Sequence, residues 1–187
     1  MDKKELRKLL IKKRKDIPKS KKEIYDKDIS KTIFDSNYFK NATQVLVFAS
    51  TKEEFDTSLI VEHCRIENKA VFYPLCLDKN GNMKFYKINS SEDLEIGMYN
   101  IPEPKAYCEE YKPKKNDLII VPCLSVDKEN YRIGYGKGYY DKFLKNFSGI
   151  SVCPCYKEML IDKLPTDKYD IKINILVTQE LLEEVIL

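Results

Sequence analysis

The chain has 187 residues, and its 33 basic and 30 acidic side chains give a net charge of +3. This charge is too small to favour binding to nucleic acid or to a membrane, although locally grouped cations would suit a small anionic ligand. The length supports a single domain over residues 1–187, and a hydrophobic content of 43% is typical of a soluble globular protein.

Nothing in the sequence indicates export. The first residues, Met-Asp-Lys-Lys, lack the apolar segment of a signal peptide, and no apolar run is long enough to span a bilayer. The six cysteines are scattered and accompanied by one histidine, so neither a disulfide framework nor a metal cluster is predicted. We therefore expect a cytoplasmic protein with reduced thiols. We also expect it to be a monomer.

Two helices are predicted at the start of the chain. The first covers residues 2–16 and ends before Pro18, since proline cannot continue a helix. Its expected buried residues are Leu6, Leu9, Leu10 and Ile17. The second covers residues 19–37, where Ser20 and Glu23 have the spacing of a capping box. Its expected apolar face consists of Ile24, Ile29, Ile33 and Phe34.

A buried strand is predicted at residues 44–48, where apolar residues are continuous instead of alternating. The next segment, residues 49–57, reads as a loop that leads into a helix at residues 57–65. Ligands of open α/β sheets bind beyond the carboxyl ends of the strands. The loop is therefore a candidate binding segment.

Further strands follow at regular intervals. Residues 70–75 and 83–88 flank an Asn-Gly turn and predict an antiparallel hairpin. Two prolines favour an extended conformation for residues 97–104. Additional strands are predicted at 117–121, 149–155 and 171–177, with a short helix from Gln179. This order predicts a three-layer α/β fold, with a mostly parallel central sheet between helices and a small antiparallel hairpin.

Residues 130–144 contain the largest concentration of candidate ligand-binding residues. Gly134, Gly136 and Gly138 alternate directly before a helical pattern, and glycine tolerates positive φ angles that let several N–H groups point to one place. A loop of this kind at a helix N-terminus is suited to bind phosphate. Arg132 and Lys137 would add two cations.

The glycine spacing is neither the Walker A pattern nor the dinucleotide pattern Gly-x-Gly-x-x-Gly. A lone Gly-x-Gly-x-Gly is more often a strand-to-helix turn with solvated charges. The full run from Arg132 to Asp141, Arg-x-Gly-x-Gly-x-Gly-Tyr-Tyr-Asp, resembles the signature loop of the 5-formyltetrahydrofolate cyclo-ligase family. Other segments over nearly the whole chain are similar to the same family.

The resemblance implies how the enzyme would hold ATP. Spacing alone places Lys3, Arg7 and Arg14 on one helix face, which is usually a solvated basic surface. The segment Lys3–Arg7 looks like the family's Lys-x-x-Leu-Arg element, so Lys3, Lys4 and Arg7 become phosphate ligands, and Arg14 a weaker candidate. The signature loop would supply the other ATP contacts: Arg132, Ile133, Gly134, Tyr135, Gly136, Lys137, Gly138, Tyr139 and Tyr140. Lys137 and Arg132 would be catalytic, and Asp141 would bind Mg²⁺.

The resemblance also implies a folate site. The position of Glu54 matches a family carboxylate that accepts the forked N–H donors of the pteridine; the alternative is a carboxylate that merely stabilises a helix start. Residues 97–104 resemble the family's Gly-x-x-x-Ile-x-Glu-Pro element, which presents Tyr99 to the folate rings. Ala49, Tyr135 and Tyr139 complete the expected folate contacts.

The chain departs from the family in one region. It has Tyr169-Asp170 where a His-Asp pair is usual, and Ile173-Asn174 where the family has Val-Asp. Since the acid of that second pair can join the magnesium site, the change at Asn174 leaves Asp141 as the main magnesium candidate.

The implied reaction converts 5-formyltetrahydrofolate and MgATP to 5,10-methenyltetrahydrofolate, ADP and phosphate. The γ-phosphoryl group would move to the formyl oxygen, and N10 would then attack the formyl carbon. Two alternatives come from other classes of protein. The first is an isomerase or transferase for a sugar phosphate or CoA ester, which would need a glutamate in the glycine loop. The second is an RNA-binding module, which would need a much higher net charge.

Overall fold

The structure is a computed structural model that describes residues 1–180 and the backbone of residues 182–184. Its helices are α1 (Lys3–Lys15), α2 (Lys19–Asp35), α3 (Asn37–Asn41), α4 (Ser58–Ile66) and α5 (Tyr139–Leu144). Its strands are β1 (Gln44–Leu46), β2 (Ala70–Cys76), β3 (Met83–Lys87), β4 (Leu94–Ile96), β5 (Pro102–Pro104), β6 (Leu118–Ile120), β7 (Ser125–Val126), β8 (Arg132–Ile133), β9 (Ile150–Pro154), β10 (Ile175–Val177) and β11 (Leu182–Glu184).

Seven strands form the central sheet, in the order β11-β10-β9-β6-β1-β2-β3. The five inner strands are parallel, while β3 and β11 pair antiparallel to their neighbours at the two edges. The chain runs from β1 outward to β2, and later places β6 on the other side of β1. The carboxyl ends of β1 and β6 therefore border the point where the winding direction reverses, which is the usual ligand-binding position in such sheets.

The central strands divide their side chains between two hydrophobic clusters, since successive residues of a strand point to opposite faces. Val45 packs with residues of α1 to α4, whereas its neighbour Leu46 packs with Leu144 of α5. Leu118 and Ile119 of β6 are divided in the same way. The sheet is thus covered by helices on both faces, and the predicted three-layer fold with an antiparallel β2–β3 hairpin is confirmed.

Helix α1 begins and ends close to its predicted limits, but its buried stripe differs. Asp2 caps the helix by accepting from the backbone N–H groups of Lys4 and Glu5, both at 2.8 Å. Leu10 is buried as predicted, whereas Leu9 is 53% exposed, so its assignment to the core was wrong. The stripe continues from Leu10 by one turn to Arg14, which is also buried. A charged residue therefore occupies a position at which the pattern predicted solvent.

Helix α2 begins at Lys19 after Pro18, with no side-chain cap, so the predicted capping role of Ser20 was wrong. Ile24 is 57% exposed and does not belong to the apolar face. Asp26 takes part in the buried face instead, because its carboxylate accepts from the Tyr156 hydroxyl at 2.7 Å and from Lys22 Nζ at 2.7 Å. These two partners compensate for its removal from water.

Two local predictions need correction. Residues 98–100 form a single 3₁₀ turn, with Tyr99 at a φ of 65°, whereas Gly97, Ile101 and the strand Pro102–Pro104 are extended. No helix begins at Gln179: residues 179 and 180 lie in a bend, and Leu182–Glu184 pair with β10. Residues 181 and 185–187, over which that helix was also predicted, lie outside the described residues. None of the helices in the described part of the chain could cross a membrane.

Candidate active site

The glycine loop is presented by a small hairpin instead of a simple link between β6 and the loop. Strands β7 and β8 pair antiparallel, and the turn between them is held by Asp127, whose Oδ1 accepts from Glu129 N at 2.9 Å and from Tyr131 N at 3.0 Å. The other oxygen of Asp127 accepts from Leu164 N at 2.9 Å. The hairpin therefore fixes β8, which carries Arg132, against the loop at residues 164–171.

Two glycines of the loop adopt conformations that other residues rarely adopt. Gly136 has a φ of 90°, and Gly138, which precedes α5, has a φ of 74°. A Cβ atom at Gly136 would lie 2.7 Å from Arg7 Cζ. The Arg7 guanidinium thus rests against the loop, and its Nε donates to the backbone oxygen of Gly134 at 2.9 Å.

Arg132 and Asp141 form an ion pair beneath the loop. Arg132 is only 8% exposed, and its Nη1 donates to Asp141 Oδ1 at 2.8 Å. The same oxygen accepts from Ile171 N at 3.1 Å. Arg132 Nη1 and Ile171 N both donate to Oδ1 of Asp141. Oδ2 of this carboxylate therefore remains available at the wall of the cleft. Among the described residues, no group of three or more His, Cys, Asp and Glu side chains is arranged to hold a metal ion.

Lys3 also lines the cleft and is held by two carboxylates. Its Nζ donates to Asp170 Oδ2 at 2.6 Å and to Asp167 Oδ2 at 2.7 Å. Partial burial opposes the charged form of Lys3, but the two carboxylates outweigh it, and the pKa of Lys3 is raised. Its ammonium group, which can donate three hydrogen bonds, keeps one for a ligand.

Glu54 is nearly buried, at 6% exposure, in the loop that follows β1. Its Oε2 accepts from the backbone N–H and the hydroxyl of Thr51, both at 2.8 Å. Tyr135 of the glycine loop faces the same carboxylate, and burial together with the charge of Glu54 raises the pKa of Tyr135. Glu54 is therefore oriented by its own loop, with Oε1 left to meet a donor from a ligand.

Tyr99 and Tyr139 meet on the aromatic side of the site. Their hydroxyl oxygens are 3.1 Å apart, and their rings are close to perpendicular with centroids separated by 6.3 Å. The Tyr139 hydroxyl also donates to the backbone oxygen of Asp78 in the β2–β3 turn. Lys137 Nζ lies 5.7 Å from the centre of the Tyr99 ring. Burial and the nearby Tyr99 hydroxyl raise the pKa of Tyr139.

A single cleft of about 890 Å³ joins these groups. Of the side chains predicted from the sequence, those that line it are Lys3, Arg7, Ala49, Glu54, Tyr99, Arg132, Ile133, Gly134, Tyr135, Gly136, Lys137, Gly138, Tyr139, Tyr140 and Asp141. Lys4 is exposed and does not line the cleft. Asn174 is also elsewhere: its Oδ1 accepts from the N–H and hydroxyl groups of Ser151, within the sheet.

Sequence reasoning missed two parts of the lining. One is the segment 164–171, which contributes Asp167 and Asp170 and lies between β9 and β10. The other is the β2–β3 hairpin, which contributes Cys76 and Met83. Burial and the neighbouring Glu103 raise the pKa of the Cys76 thiol to about 11, so it is an uncharged part of the wall. The β2–β3 turn directly follows the carboxyl end of the parallel strand β2, a position that could have identified it.

Comparison with known proteins shows to which family the chain belongs. Residues 1–179 match the sequence profile of the 5-formyltetrahydrofolate cyclo-ligase family. The chain belongs to this family. The family and the enzyme class predicted from the signature loop are therefore confirmed.

Members of the cyclo-ligase family from distant organisms are similar over most of the chain. The 5-formyltetrahydrofolate cyclo-ligase of Escherichia coli (strain K12) is 30% identical over 142 residues, which are 73% of this chain and 78% of the relative. That of Mus musculus is 26% identical over 158 residues, which are 78% of each chain.

The fold is shared with solved structures. The NMR structure of Aquifex aeolicus 5,10-methenyltetrahydrofolate synthetase matches with a TM-score of 0.86 and 29% identity, over 98% of this chain and 93% of that chain. A 5,10-methenyltetrahydrofolate synthetase from Mycoplasma pneumoniae matches with a TM-score of 0.77 and 21% identity, over 96% of this chain and 99% of that chain. The second likeness supports the fold alone.

Proposed function

We propose that this cyclo-ligase forms 5,10-methenyltetrahydrofolate from 5-formyltetrahydrofolate, with ATP as co-substrate and Mg²⁺ as the metal. The observation that carries the proposal is one cleft of about 890 Å³, which is lined both by cations and the glycine loop and by Glu54 with the aromatic pair Tyr99 and Tyr139. Two substrates of different chemistry can thus meet in one space.

The cationic end suits the phosphates of ATP. Lys3, Arg7 and Lys137 line it from two different segments, and the N–H groups of the glycine loop can donate to phosphate oxygens. Arg7 has a second role in this arrangement, since its contact with Gly134 O fixes the loop against α1. Lys4 is left out of the proposed site because it lies outside the cleft.

The residues present also fit a magnesium ion. Mg²⁺ in nucleotide sites is usually held by one or two carboxylates together with phosphates and water. Asp141 provides such a carboxylate at the cleft wall, with one oxygen fixed by Arg132 and Ile171 N. When bound, the metal supplies positive charge that neutralises the phosphates. The ion pair with Arg132 holds Asp141 in one orientation for this purpose.

The other end suits a pteridine. A carboxylate accepts hydrogen bonds only, so Oε1 of Glu54 can take N–H donors from the ring. Tyr99 presents a ring to the cleft from the 3₁₀ turn after Gly97, and the Tyr139 hydroxyl fixes its edge. Ala49 and Tyr135 also line the cleft and complete its wall.

The chemistry then needs positioning and charge more than a covalent nucleophile. The γ-phosphoryl group passes to the formyl oxygen and ADP leaves. The N10 lone pair then attacks the formyl carbon, the carbon–oxygen bond to phosphate breaks, and the proton of N10 leaves with the phosphate. Lys137, at the boundary between the two ends, stabilises negative charge on the group in transfer. Arg132 adds a second, buried positive charge next to Asp141.

We further propose that residues 1–187 form one domain, that the protein acts as a monomer on a small-molecule substrate without nucleic acid or membrane partners, and that it works in the cytoplasm. The state of the cysteines supports the last point. All six are free in the structure, and free thiols persist in a reducing compartment.

The test of the proposed function is direct. Purified protein is mixed with 5-formyltetrahydrofolate and MgATP, and the methenyl product is followed by its absorbance. Product formation that requires both ATP and Mg²⁺ is expected. Product without ATP, or none with all components and folded protein, would contradict the proposal. As a site control, Glu54→Ala should weaken binding of the folate more than binding of ATP.

A further inference from the structure

Arg14 is placed behind the proposed active site, not at its phosphate end. It lies two turns of α1 beyond Arg7, yet it is only 6% exposed and does not line the large cleft. Its Nη2 donates to the backbone oxygens of Cys123 and Leu124, in the segment that follows β6. Its Nε has no hydrogen-bond partner in the described part of the chain. A guanidinium this deeply buried needs a compensating charge nearby.

Cys123 is the main source of that compensation, and Glu54 adds a negative charge from the side of the cleft. It lines both the large cleft and a second, small cavity of about 10 Å³, and Arg14 lines the small cavity only. The volume is close to that of one water molecule, which could join the two charged groups. Glu54 therefore separates Arg14 from the bound folate of the proposed function.

Several titratable groups surround this pair, and hydrogen bonds from Cys153 and Cys155, together with the charges of Arg14 and Arg132, lower the pKa of Cys123. Tyr135 of the glycine loop and Tyr140 of α5 face Glu54, and burial together with that carboxylate raises the pKa of each hydroxyl. Cys123, Cys155 and Tyr156 face Arg14. Burial disfavours the charged guanidinium, but these thiols, Tyr135 and Glu54 outweigh it, and the pKa of Arg14 is raised. Arg14 and Glu54 are thus opposite charges in a poorly solvated setting.

We propose that Arg14 is a positioning residue that acts through Glu54. Its buried charge holds the Glu54 carboxylate directed at the folate end of the cleft, while Thr51 fixes the other carboxylate oxygen. This inference rests on the proposed function for its kinetic consequence. The pairing of the two charges is a property of the folded protein alone and can be tested without substrate.

The kinetic experiment compares Arg14→Met, Arg14→Lys, Glu54→Gln and the double variant Arg14→Met/Glu54→Gln. We expect Arg14→Met to raise the KM for 5-formyltetrahydrofolate about tenfold, with the KM for ATP changed less than about twofold, and Arg14→Lys to recover part of the loss. In the Glu54→Gln background, Arg14→Met should add less than about twofold, because its effect passes through the carboxylate. Equal increases in both KM values, in both backgrounds, would overturn the proposal and leave Arg14 as a packing residue.

The stability experiment does not require that the Arg14 variants fold. Thermal unfolding of Glu54→Gln is compared with that of Glu53→Gln, which removes the neighbouring exposed carboxylate. If Glu54 compensates Arg14, its variant should unfold several degrees lower, whereas Glu53→Gln should stay within about one degree of the parent protein. An unchanged or higher midpoint for Glu54→Gln would overturn the pairing. A protein that shows this stability difference but makes no methenyl product would contradict the proposed function only.

Discussion

Lys3 of α1 and Asp170 of the 164–171 segment are joined by an ion pair of 2.6 Å at the wall of the cleft. Asp167 contacts the same ammonium at 2.7 Å, and Asp170 Oδ2 also accepts from Asp167 N at 2.7 Å. One residue further on, Ile171 N donates to Asp141. The segment therefore links the N-terminal helix to the carboxylate proposed for magnesium, so that both are positioned by the same piece of backbone.

The first prediction concerns this link. Asp170→Asn removes a charge that holds Lys3, and we expect the KM for ATP to rise about threefold to tenfold, which corresponds to roughly 1 kcal/mol. Lys3→Met removes the phosphate ligand itself and should raise the KM for ATP by about tenfold or more, since hydrogen bonds to charged groups contribute about 1.5–3 kcal/mol. Initial rates at varied ATP and saturating folate measure both effects.

Lys4→Met is the matched control for Lys3→Met. Lys4 is the next residue along the chain, carries the same charge and lies outside the cleft. Its KM for ATP should stay within about twofold of that of the parent protein, because exposed charges away from a site contribute little. If the two methionine variants behave alike, Lys3 acts only through the general charge of the helix.

The positions of the site residues could be predicted only in part from the sequence, and Arg14 shows why. Helical spacing correctly placed Lys3 and Arg7 on one face of α1, and both line the cleft. The same spacing put Arg14 on that line, but the helix passes beneath the segment after β6 and buries this residue. Periodicity indicates which residues lie on the same face of a helix. It does not indicate where along the helix that face is covered by other parts of the chain.

Contacts between loops that are distant in sequence could not be predicted from the sequence either. The glycine loop was predicted from its short local pattern, and Glu54 from the resemblance of its position to a family carboxylate. The pairs Lys3–Asp170 and Tyr139–Asp78 join residues far apart in sequence, and no local pattern marks them. The strand order of the sheet brings these segments to one edge, so their contacts follow from topology and became visible only in the folded chain.

The second prediction concerns the close contact between Gly136 and Arg7. Gly136→Ala introduces a Cβ atom 2.7 Å from Arg7 Cζ, at a φ of 90° that alanine adopts poorly. We expect displacement of the Arg7 guanidinium, a rise in the KM for ATP of about tenfold or more, and a small loss of stability of about 1 kcal/mol. Steady-state kinetics and thermal unfolding of the same preparation separate the two effects.

Gly134→Ala provides the comparison within the same loop. A Cβ atom there meets no atom within 4 Å, and Gly134 does not have a positive φ. Its effect on the KM for ATP should therefore be several times smaller than that of Gly136→Ala. Equal effects at the two positions would mean that loop flexibility, not the contact with Arg7, determines ATP binding.

The third prediction concerns Lys137. This side chain is exposed in the loop and lies near Tyr99, so its removal should not affect folding. Lys137→Ala should lower kcat by about 10²–10³, as expected for the loss of one group that stabilises the transition state, and should leave the equilibrium affinity for 5-formyltetrahydrofolate largely unchanged. Lys79→Ala, an exposed lysine of the nearby β2–β3 turn, should keep its activity. Loss of folded structure in Lys137→Ala would instead make the loop lysine structural.

The fourth prediction separates two roles of Asp141. If its free oxygen binds Mg²⁺, Asp141→Asn should raise the Mg²⁺ concentration for half-maximal activity about tenfold or more, and Asp167→Asn, another carboxylate of the cleft, should not. The same substitution leaves the buried Arg132 without its charged partner, so the free energy of unfolding should also fall by about 1–3 kcal/mol. Magnesium titrations of activity and denaturant unfolding measure the two effects independently. A less stable protein with an unchanged magnesium requirement would mean that Asp141 serves only to hold Arg132 in place.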